Sequence, residues 1–236
     1  MTNRANTMKN DPFAIKQYPK WSVFTAKARL IEQAARRRFH TYALPVKVIA
    51  NLPPAPDVDY SNTAVTPIQM QHLLHALATT EFLKDTVVVE VGCYSGVTMQ
   101  VLASATSRKV IAVDPYIGYG GNDQDYHHFQ TNMAMLSNVI HERVTSGEAI
   151  RTWTHSPVSF IFIDAVHDYV NTAFDIKAWS SLMVKGGILA MHDTDQACFA
   201  GTRKAAFEAC AGIAAGTPNC TRLFAHPANL TLLTKN

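Results

Sequence analysis

The sequence has few of the features that mark membrane proteins, disulfide-rich proteins or zinc proteins. No apolar run approaches the roughly 18 residues needed to cross a bilayer. The first thirty residues contain no signal-type apolar core, so we expect a cytoplasmic protein without membrane partners. Neither CxxC nor zinc-type spacing occurs, and we interpret all four cysteines as free thiols: Cys93, Cys198, Cys210 and Cys220.

The sequence does have enough hydrophobic residues for a globular core, and its charged residues are unevenly distributed along the chain. The 236 residues are 47% hydrophobic, which is enough to build one α/β core. Residues 1–50 hold ten lysines and arginines against two acids, and Arg36, Arg37 and Arg38 fall on a predicted helix from Val23 to Phe39. A solvated helix face packed on the acidic remainder is the favoured interpretation. Nucleic acid is not an expected partner, because no aromatic-interleaved RNA platform accompanies the basic cluster.

Alternating helix and strand patterns predict the architecture. Residues 1–60 read as a helical extension, a lid or a homo-oligomer contact, that ends in a proline-rich linker at 51–56. Residues 61–236 read as an α/β domain: a doubly wound, mostly parallel seven-stranded sheet with an antiparallel last strand. The segment Ser159–Ile163 is apolar throughout, which is typical of a parallel strand covered on both faces. The predicted strands are 86–91, 110–114, 139–144, 159–163, 188–191 and two in the tail, joined at Pro227-Ala228-Asn229.

A glycine turn between the first two strands indicates a nucleotide cofactor. Gly92 and Gly96 follow the buried strand and allow close approach of a ligand to the backbone. The helix that opens next offers N–H donors to an anionic group. Asp114 ends the second strand, where an acid can grip a ribose diol. These features together predict an adenosine-containing cofactor.

Four segments in this order resemble the class I S-adenosylmethionine-dependent methyltransferases: Glu90–Thr98, Asp114-Pro115, Asp164–Tyr169 and Lys185–Thr194. The resemblance covers about residues 60–236. It extends in particular to the metal-dependent small-molecule O-methyltransferases of the catechol, caffeoyl-CoA, macrocin and cephalosporin types. It implies S-adenosyl-L-methionine as cofactor. The Gly-x-Gly-x-x-Gly fingerprint of nicotinamide enzymes is absent.

The resemblance also implies which residues contact the cofactor. Glu90 would support the turn and bind the cofactor amine, the alternative being a buried acid that accepts loop N–H bonds. Asp114 would accept both ribose hydroxyls, and Trp153 could cover the adenine, although core packing is favoured for it. Gly92 and Gly96 would leave room for the methionyl part of the cofactor, and Thr98 and Tyr94 would hydrogen-bond near its carboxylate. Ser146 and Glu148 would contact the adenine. Asp164 is a further implied cofactor-binding residue.

A second constellation falls at the ends of the fourth and fifth strands. The resemblance implies that Asp164, His192 and Asp193 hold a divalent metal, Mg²⁺, Mn²⁺ or another, that binds and aligns the acceptor hydroxyl. His192 departs from the family, in which an acid is usual, and an imidazole favours softer ions. The histidine at this position leaves two alternatives open: a metal-free enzyme in which His192 acts as a base, or a His192 with a purely structural role. His167 falls where catechol-type enzymes place a general-base lysine, with a cofactor contact or a helix-start hydrogen bond as the alternatives.

The sequence therefore predicts an S-adenosylmethionine-dependent O-methyltransferase that acts on a hydroxyl of a small molecule, such as a phenol, sugar or natural product of secondary metabolism. The alternative from another class is a cofactor-binding module of the same fold with lost or regulatory chemistry. RNA methylation is disfavoured, because Asp164-Ala-Val-His167 stands where a base-methylating motif would be. The segment Tyr116–His128 is either part of a lid over the acceptor or a plain surface loop.

Overall fold

A computed structural model describes residues 22–118, 121–212, 222–225 and 229–236. The helices within these ranges are α1 (Ser22–Arg37), α2 (Pro67–Ala78), α3 (Val97–Ser104), α4 (Asp123–Met133), α5 (Ser146–Arg151), α6 (Tyr169–Leu182) and α7 (Ala200–Cys210). The strands are β1 (Val87–Val91), β2 (Val110–Val113), β3 (Val139–Glu142), β4 (Val158–Ile163), β5 (Met183–His192), β6 (Arg222–Ala225) and β7 (Leu230–Thr234).

The strands form one seven-stranded sheet in the order β3-β2-β1-β4-β5-β7-β6. The first five strands run parallel, and β7 runs antiparallel to both β5 and β6. The predicted doubly wound sheet with an antiparallel last strand is therefore confirmed. Because parallel strands all end at the same edge, the carboxyl ends of β1, β2, β4 and β5 meet above one crevice.

The core lies on both faces of the sheet. Strands β1 and β4 are buried at every residue, as their unbroken apolar sequences predict. On one face Phe160 and Phe162 pack with α2 and α3 side chains. On the other face Ile161 and Trp179 pack with residues of α7. Covering both faces fixes the strand register, so the polar residues that follow each strand emerge at its tip.

Local signals in the sequence account for several element boundaries. Thr66 caps α2 and forms a capping box with Gln69, with Pro67 at the first helical position as predicted. Helix α2 ends at Ala78 rather than near residue 83, and β5 begins at Met183 rather than at 188. The longer strand follows from pairing on both sides: Met183 pairs with Val158 of β4, and the Gly186 N–H donates to Lys235 O over 2.8 Å.

In the described part of the head, α1 and a short 3₁₀ turn at Phe39–Thr41 are helical and residues 42–59 are irregular. Helix α1 packs against α6 and α7. The boundary near residue 60 and the role of the head as a lid or oligomer contact stay predictions. Cys220 and Pro227-Ala228 lie outside the described residues, as do residues 119–120 of the segment after β2. Among the described helices, none is long and apolar enough to span a bilayer.

Candidate active site

The glycine turn after β1 is shaped by contact with β4 and α4. Gly92 has φ +87°, and a Cβ there would lie 2.3 Å from the carbonyl oxygen of Asp164. Gly96 has φ +82°, and a Cβ there would lie 2.8 Å from Cδ2 of Phe129. Both positions therefore require glycine for the packing of the chain itself. The predicted second role, room for the methionyl part of the cofactor, stays a prediction.

Asp114 follows β2 and its carboxylate organises the glycine turn. Oδ2 accepts hydrogen bonds from the N–H groups of Cys93 and Tyr94 at 2.8 and 3.1 Å. Oδ1 accepts from the Tyr116 N–H at 2.9 Å. Burial raises the pKa of Asp114, and these backbone hydrogen bonds oppose the rise. A carboxylate oxygen has two lone pairs, so Oδ1 can still accept a hydroxyl.

Glu90 lies within β1, beneath the turn, and is only 2% exposed. Its Oε2 has no hydrogen-bond partner among the residues that the structure describes. Burial raises the pKa of Glu90 well above its ordinary value, and the neighbouring charges of Asp164 and Asp114 add to the effect. A buried carboxylate oxygen without a partner is unfavourable by itself and favours a cationic or hydrogen-bonding ligand beside it.

Thr98 and Tyr94, the predicted contacts to the cofactor carboxylate, lie on either side of this turn. Thr98 is buried, and its hydroxyl lies 3.3 Å from that of Thr63. Tyr94 has a positive φ of 47° and is 43% exposed, and its carbonyl accepts from the Tyr116 hydroxyl at 2.8 Å. Thr98 therefore already has a side-chain partner, while the Tyr94 ring faces solvent.

The residues predicted to contact adenine make structural contacts around α5. Ser146 hydrogen-bonds Asp175 and accepts from the Trp179 indole N–H at 2.9 Å. Glu148 is the exposed partner in the capping box of α5. Trp153 meets Trp179 edge to face, with ring centroids 5.2 Å apart. Their predicted contacts with the cofactor stay predictions.

Asp175, beneath Ser146, gives the protein a measurable pH dependence. Burial raises the pKa of Asp175 to about 7. The charge of Asp168 adds to the rise, and the hydrogen bond from Ser146 opposes it. The folded state therefore holds this proton more tightly than the unfolded state does. We expect the free energy of unfolding to fall as pH rises from about 4 to about 7, by up to about 1.4 kcal/mol per unit, and then to level off.

Urea unfolding of wild type and Asp175→Asn across this pH range tests the prediction. The variant should lose this part of the slope and gain relative stability above pH about 7. The matched control is Asp123→Asn, because Asp123 is exposed and pairs with Arg143. Parallel stability curves for wild type and Asp175→Asn would contradict the assignment.

Four side chains converge at the tips of β4 and β5. Each of Asp164, His167, His192 and Asp193 offers one ligand atom, and these atoms lie within 4.8 Å of one another. His167 Nε2 is 3.1 Å from Asp164 Oδ1 and 3.3 Å from Asp193 Oδ2. His192 Nδ1 is 3.2 Å from Asp164 Oδ1 and 3.6 Å from Asp193 Oδ1. The structure thus brings together the three predicted metal ligands and adds His167 to them.

Asp193 is held in place by two amides that the sequence reasoning missed. Gln196 and Asn229 donate to its Oδ1 at 2.9 and 2.6 Å. Asp193 and Asn229 both adopt positive φ, 55° and 61°. Asn229 comes from the tail, 36 positions away. Such a pairing carries no local sequence signal, because it depends on β7 returning beside β5.

Gln69 of α2, also missed, sets the protonation of His192. The Thr66 N–H donates to Gln69 Oε1 at 2.8 Å, so this atom must be the oxygen of the amide. The same oxygen lies 3.2 Å from His192 Nε2, which therefore carries a proton. A neutral His192 then directs the lone pair of Nδ1 at the carboxylates. That lone pair faces negative oxygens unless a proton or a cation lies between them.

The charges of the cluster favour an ionised Asp164. Burial alone would raise the pKa of Asp164, but the charge of His192 and hydrogen bonds from His167 and His192 hold it below its ordinary value. The His167 ring also packs on Phe199, with centroids 4.6 Å apart. The site can therefore hold a cation, or a proton shared between imidazole and carboxylate.

A groove of about 690 Å³ lies between residues 56–62, α3 and α4, and it reaches Ser95 and Val97 beside Gly96. Polar residues such as Asp57, Asp59 and His128 and apolar residues line it together. None of the predicted site residues borders it, so we place the chemistry at the strand tips.

Comparison with known proteins agrees with the fold and the motif order. Residues 89–194 match the model of a family described as a methyltransferase domain, a span that runs from β1 through the end of β5. This segment is therefore similar to methyltransferase domains, in agreement with the resemblance that the four sequence segments carry. The match includes Glu90, the glycine turn, Asp114 and the whole four-residue cluster. No curated protein matches the sequence.

Solved structures share the fold of this methyltransferase domain at low identity. An O-methyltransferase from Bacillus cereus in complex with SAH has a TM-score of 0.54 and 14% identity, over 87% of this chain and 90% of that chain. TomG from Streptomyces achromogenes, an O-methyltransferase involved in tomaymycin synthesis and solved with SAM, has a TM-score of 0.55 and 15% identity, over 87% of this chain and 89% of that chain. An rRNA methylase from Streptococcus thermophilus has a TM-score of 0.52 and 19% identity, over 73% of this chain and 98% of that chain. Such identities establish a common fold.

Proposed function

We propose that this methyltransferase transfers the methyl group of S-adenosylmethionine to a hydroxyl oxygen of a small molecule, with a divalent cation at the strand tips. The observation that carries the proposal is the adjacency of two sites. The cluster begins at Asp164, whose carbonyl lies against Gly92 of the cofactor turn. A donor bound at the turn and an acceptor bound at the cluster would share one crevice, which near-attack alignment requires.

The cofactor side of the crevice fits the charges of the donor. S-adenosylmethionine supplies an electrophilic methyl group on a cationic sulfur and carries an ammonium and a ribose diol. Glu90 Oε2, buried and without a partner among the described residues, suits the ammonium. Asp114 Oδ1, which already accepts one backbone hydrogen bond, suits a ribose hydroxyl. Both residues therefore orient the donor and compensate its positive charge.

The cluster fits a cation by its donor set. Asp164, His192 and Asp193 would hold the ion. With the proton of a neutral His192 on Nε2 facing Gln69, Nδ1 would offer its lone pair to the ion. Imidazole beside carboxylate favours Mn²⁺, Fe²⁺ or Zn²⁺ over Mg²⁺. The ion would supply a Lewis acid that lowers the pKa of the acceptor hydroxyl.

His167 is the proposed general base. The hydroxyl must lose a proton as its oxygen attacks the methyl carbon, and a ring that takes this proton becomes an imidazolium. Carboxylate oxygens of Asp164 and Asp193 within 3.3 Å of Nε2 would stabilise that charge. The Phe199 ring packed on His167 limits its rotation and shields one face from water.

The acceptor class follows from the same geometry and from the neighbours. Two of the similar structures are O-methyltransferases, and one of these belongs to the synthesis of a natural product. We propose a phenolic, sugar-like or natural-product hydroxyl compact enough to reach the strand tips. The alternative, a binding module with lost chemistry, predicts cofactor binding without a cation at the cluster.

Titration calorimetry with S-adenosylhomocysteine tests the donor site. Wild type should bind, and Asp114→Ala should bind at least about tenfold more weakly, because a hydroxyl hydrogen bond to a charged group and the turn geometry are both lost. Asp123→Ala removes an exposed carboxylate and should bind like wild type. Absence of binding by the wild-type chain would end the proposal.

A further inference from the structure

One acid of the head reaches α6 and α7, the two helices that begin just after His167 and Phe199. Glu32 of α1 is partly buried, and its Oε1 accepts a hydrogen bond from the Tyr169 N–H at 2.5 Å. The same carboxylate lies directly against the Gly201 backbone. Burial raises the pKa of Glu32, and the N–H groups of Tyr169 and Gly201 oppose that rise. Tyr169 begins α6 and Gly201 lies in the first turn of α7. One carboxylate thus bridges the N-termini of two helices, where backbone N–H groups and helix dipoles favour negative charge.

The Glu32 carboxylate is packed so closely against Gly201 that there is no space for a side chain at position 201. A Cβ on Gly201 would lie 2.0 Å from Glu32 Oε1 and 2.5 Å from Oε2. Any side chain at position 201 would therefore displace the carboxylate. Gly201 has no positive φ to explain the glycine. The close approach of the Glu32 carboxylate and of the Tyr169 backbone nitrogen, which would lie 2.5 Å from a Cβ, is the physical reason for a residue without a side chain here.

The bridge lies two residues beyond each member of the His167–Phe199 ring pair. His167 precedes Tyr169, and Phe199 precedes Gly201, by the same interval along the chain. The rings stack with centroids 4.6 Å apart and an interplanar angle of 35°. Holding the two helix N-termini together thereby fixes the spacing at which the rings meet. It also fixes the direction of His167 Nε2 toward Asp164 and Asp193.

A second contact of the head reaches the other side of the site. Arg203 of α7 donates to Tyr42 O at 2.8 Å, and its guanidinium lies 4.6 Å from the Phe39 ring centroid. The same guanidinium donates to Thr194 O at 3.3 Å and pairs with Asp195. The head is therefore joined to the segment after Asp193 as well as to the helix after His167.

We propose that Glu32 is a positioning residue: from the head, it bridges α6 and α7 and thereby orients His167. The orientation of His167 follows from the contacts alone, whereas its consequence for catalysis rests on the proposed function. In this arrangement the head is part of the active-site support. Loss of the bridge should leave the cofactor turn untouched, since that turn lies against β4 and α4.

The test compares wild type, Glu32→Ala and Glu32→Gln as full chains by NMR at one fixed pH. Histidine side-chain signals are recorded in long-range ¹H–¹⁵N spectra, with His167→Asn used to assign the His167 ring. In Glu32→Ala we expect shifted or broadened His167 signals and at least about tenfold faster amide exchange at Tyr169 and Gly201. Glu32→Gln keeps an acceptor oxygen and should restore most of both properties.

Two references separate positioning from a general loss of structure. The His155 ring, which pairs with Glu142 at 2.6 Å, should keep its signals in every variant. Leu30→Ala alters an exposed side chain of the same helix and should match wild type throughout. Unchanged His167 signals in Glu32→Ala, despite faster exchange at Tyr169 and Gly201, would overturn the proposal. If Glu32→Ala does not fold, Glu32→Gln should still show wild-type amide exchange at Tyr169 and Gly201 and unshifted histidine signals. Glu32→Lys then replaces Glu32→Ala in the comparison. Shifted or broadened His167 signals in Glu32→Lys would support the proposal, and unchanged signals would overturn it.

Mn²⁺ binding, followed by electron paramagnetic resonance, tests the consequence for the cluster. Glu32→Ala should weaken Mn²⁺ about tenfold, because His167 holds the carboxylates of Asp164 and Asp193 that would bind the ion. It should change S-adenosylhomocysteine affinity less than threefold. A wild-type chain that binds no Mn²⁺ would contradict the proposed metal site only. The NMR comparison would then still decide the role of Glu32.

Discussion

Asp164→Asn is expected to weaken Mn²⁺ binding by about 100-fold or more while S-adenosylhomocysteine still binds. The Asp164 carboxylate lies between both histidines of the cluster, at 3.1 Å from His167 Nε2 and 3.2 Å from His192 Nδ1. An amide removes the negative charge at the centre of the donor set and turns one oxygen into a donor. Titration with Mn²⁺ and, separately, with S-adenosylhomocysteine measures the two effects.

The control for Asp164→Asn is Asp123→Asn, the same chemical change at an exposed carboxylate paired with Arg143. It should leave both affinities unchanged. Equal Mn²⁺ affinity in wild type and Asp164→Asn would remove the metal site from the proposal. A wild type that binds the cofactor product but no Mn²⁺, Fe²⁺ or Zn²⁺ would instead favour the binding module or a metal-free His192 base.

Gly92→Ala should be the most damaging small substitution in the cofactor turn. A Cβ there would lie 2.3 Å from Asp164 O and 2.9 Å from the Cα of Ala165, both backbone atoms that cannot rotate away. The left-handed φ of +87° adds strain of its own. Together these effects should lower the free energy of unfolding by about 3 to 5 kcal/mol, as measured by urea unfolding.

Gly186→Ala is the matched control, because it separates backbone strain from collision. Gly186 has a similar φ of +82°, and its nearest contact would be Phe82 Cζ at an ordinary 3.6 Å. We expect a loss of only about 1 to 2 kcal/mol, from the left-handed conformation alone. Equal losses in the two variants would show that the turn moves away from β4 at little cost, and that Gly92 does not place Asp164.

The fold was largely readable because its signals are local. The unbroken apolar run at Ser159–Ile163 indicated a strand covered on both faces, and it is fully buried. Thr66 and Pro67 indicated a helix start, and a capping box forms there. The boundaries that differed depended on distant partners. Strand β5 is longer than expected because Met183 pairs with Val158 of β4 and Gly186 hydrogen-bonds to Lys235 beyond β7.

The candidate site was readable only in part. Asp164, His192 and Asp193 could be named because each ends a strand, and parallel strands end at one edge. Gln69 and Glu32 could not, since they lie 123 residues from His192 and 137 from Tyr169, respectively. Gln69 also belongs to the capping box of α2. No periodicity marks a side chain whose partner is supplied by another element.

The sequence by itself determined the alternation of elements, the glycine turn and the residues placed at each strand tip, because hydrophobic period and turn chemistry act over a few neighbouring residues. Tertiary structure alone decided that His167 joins the cluster, that Gln69 fixes the proton on His192, and that Glu32 bridges two helices. Those outcomes depend on how separate elements pack against one another. Packing is a property of the whole folded chain and leaves no pattern within any one segment.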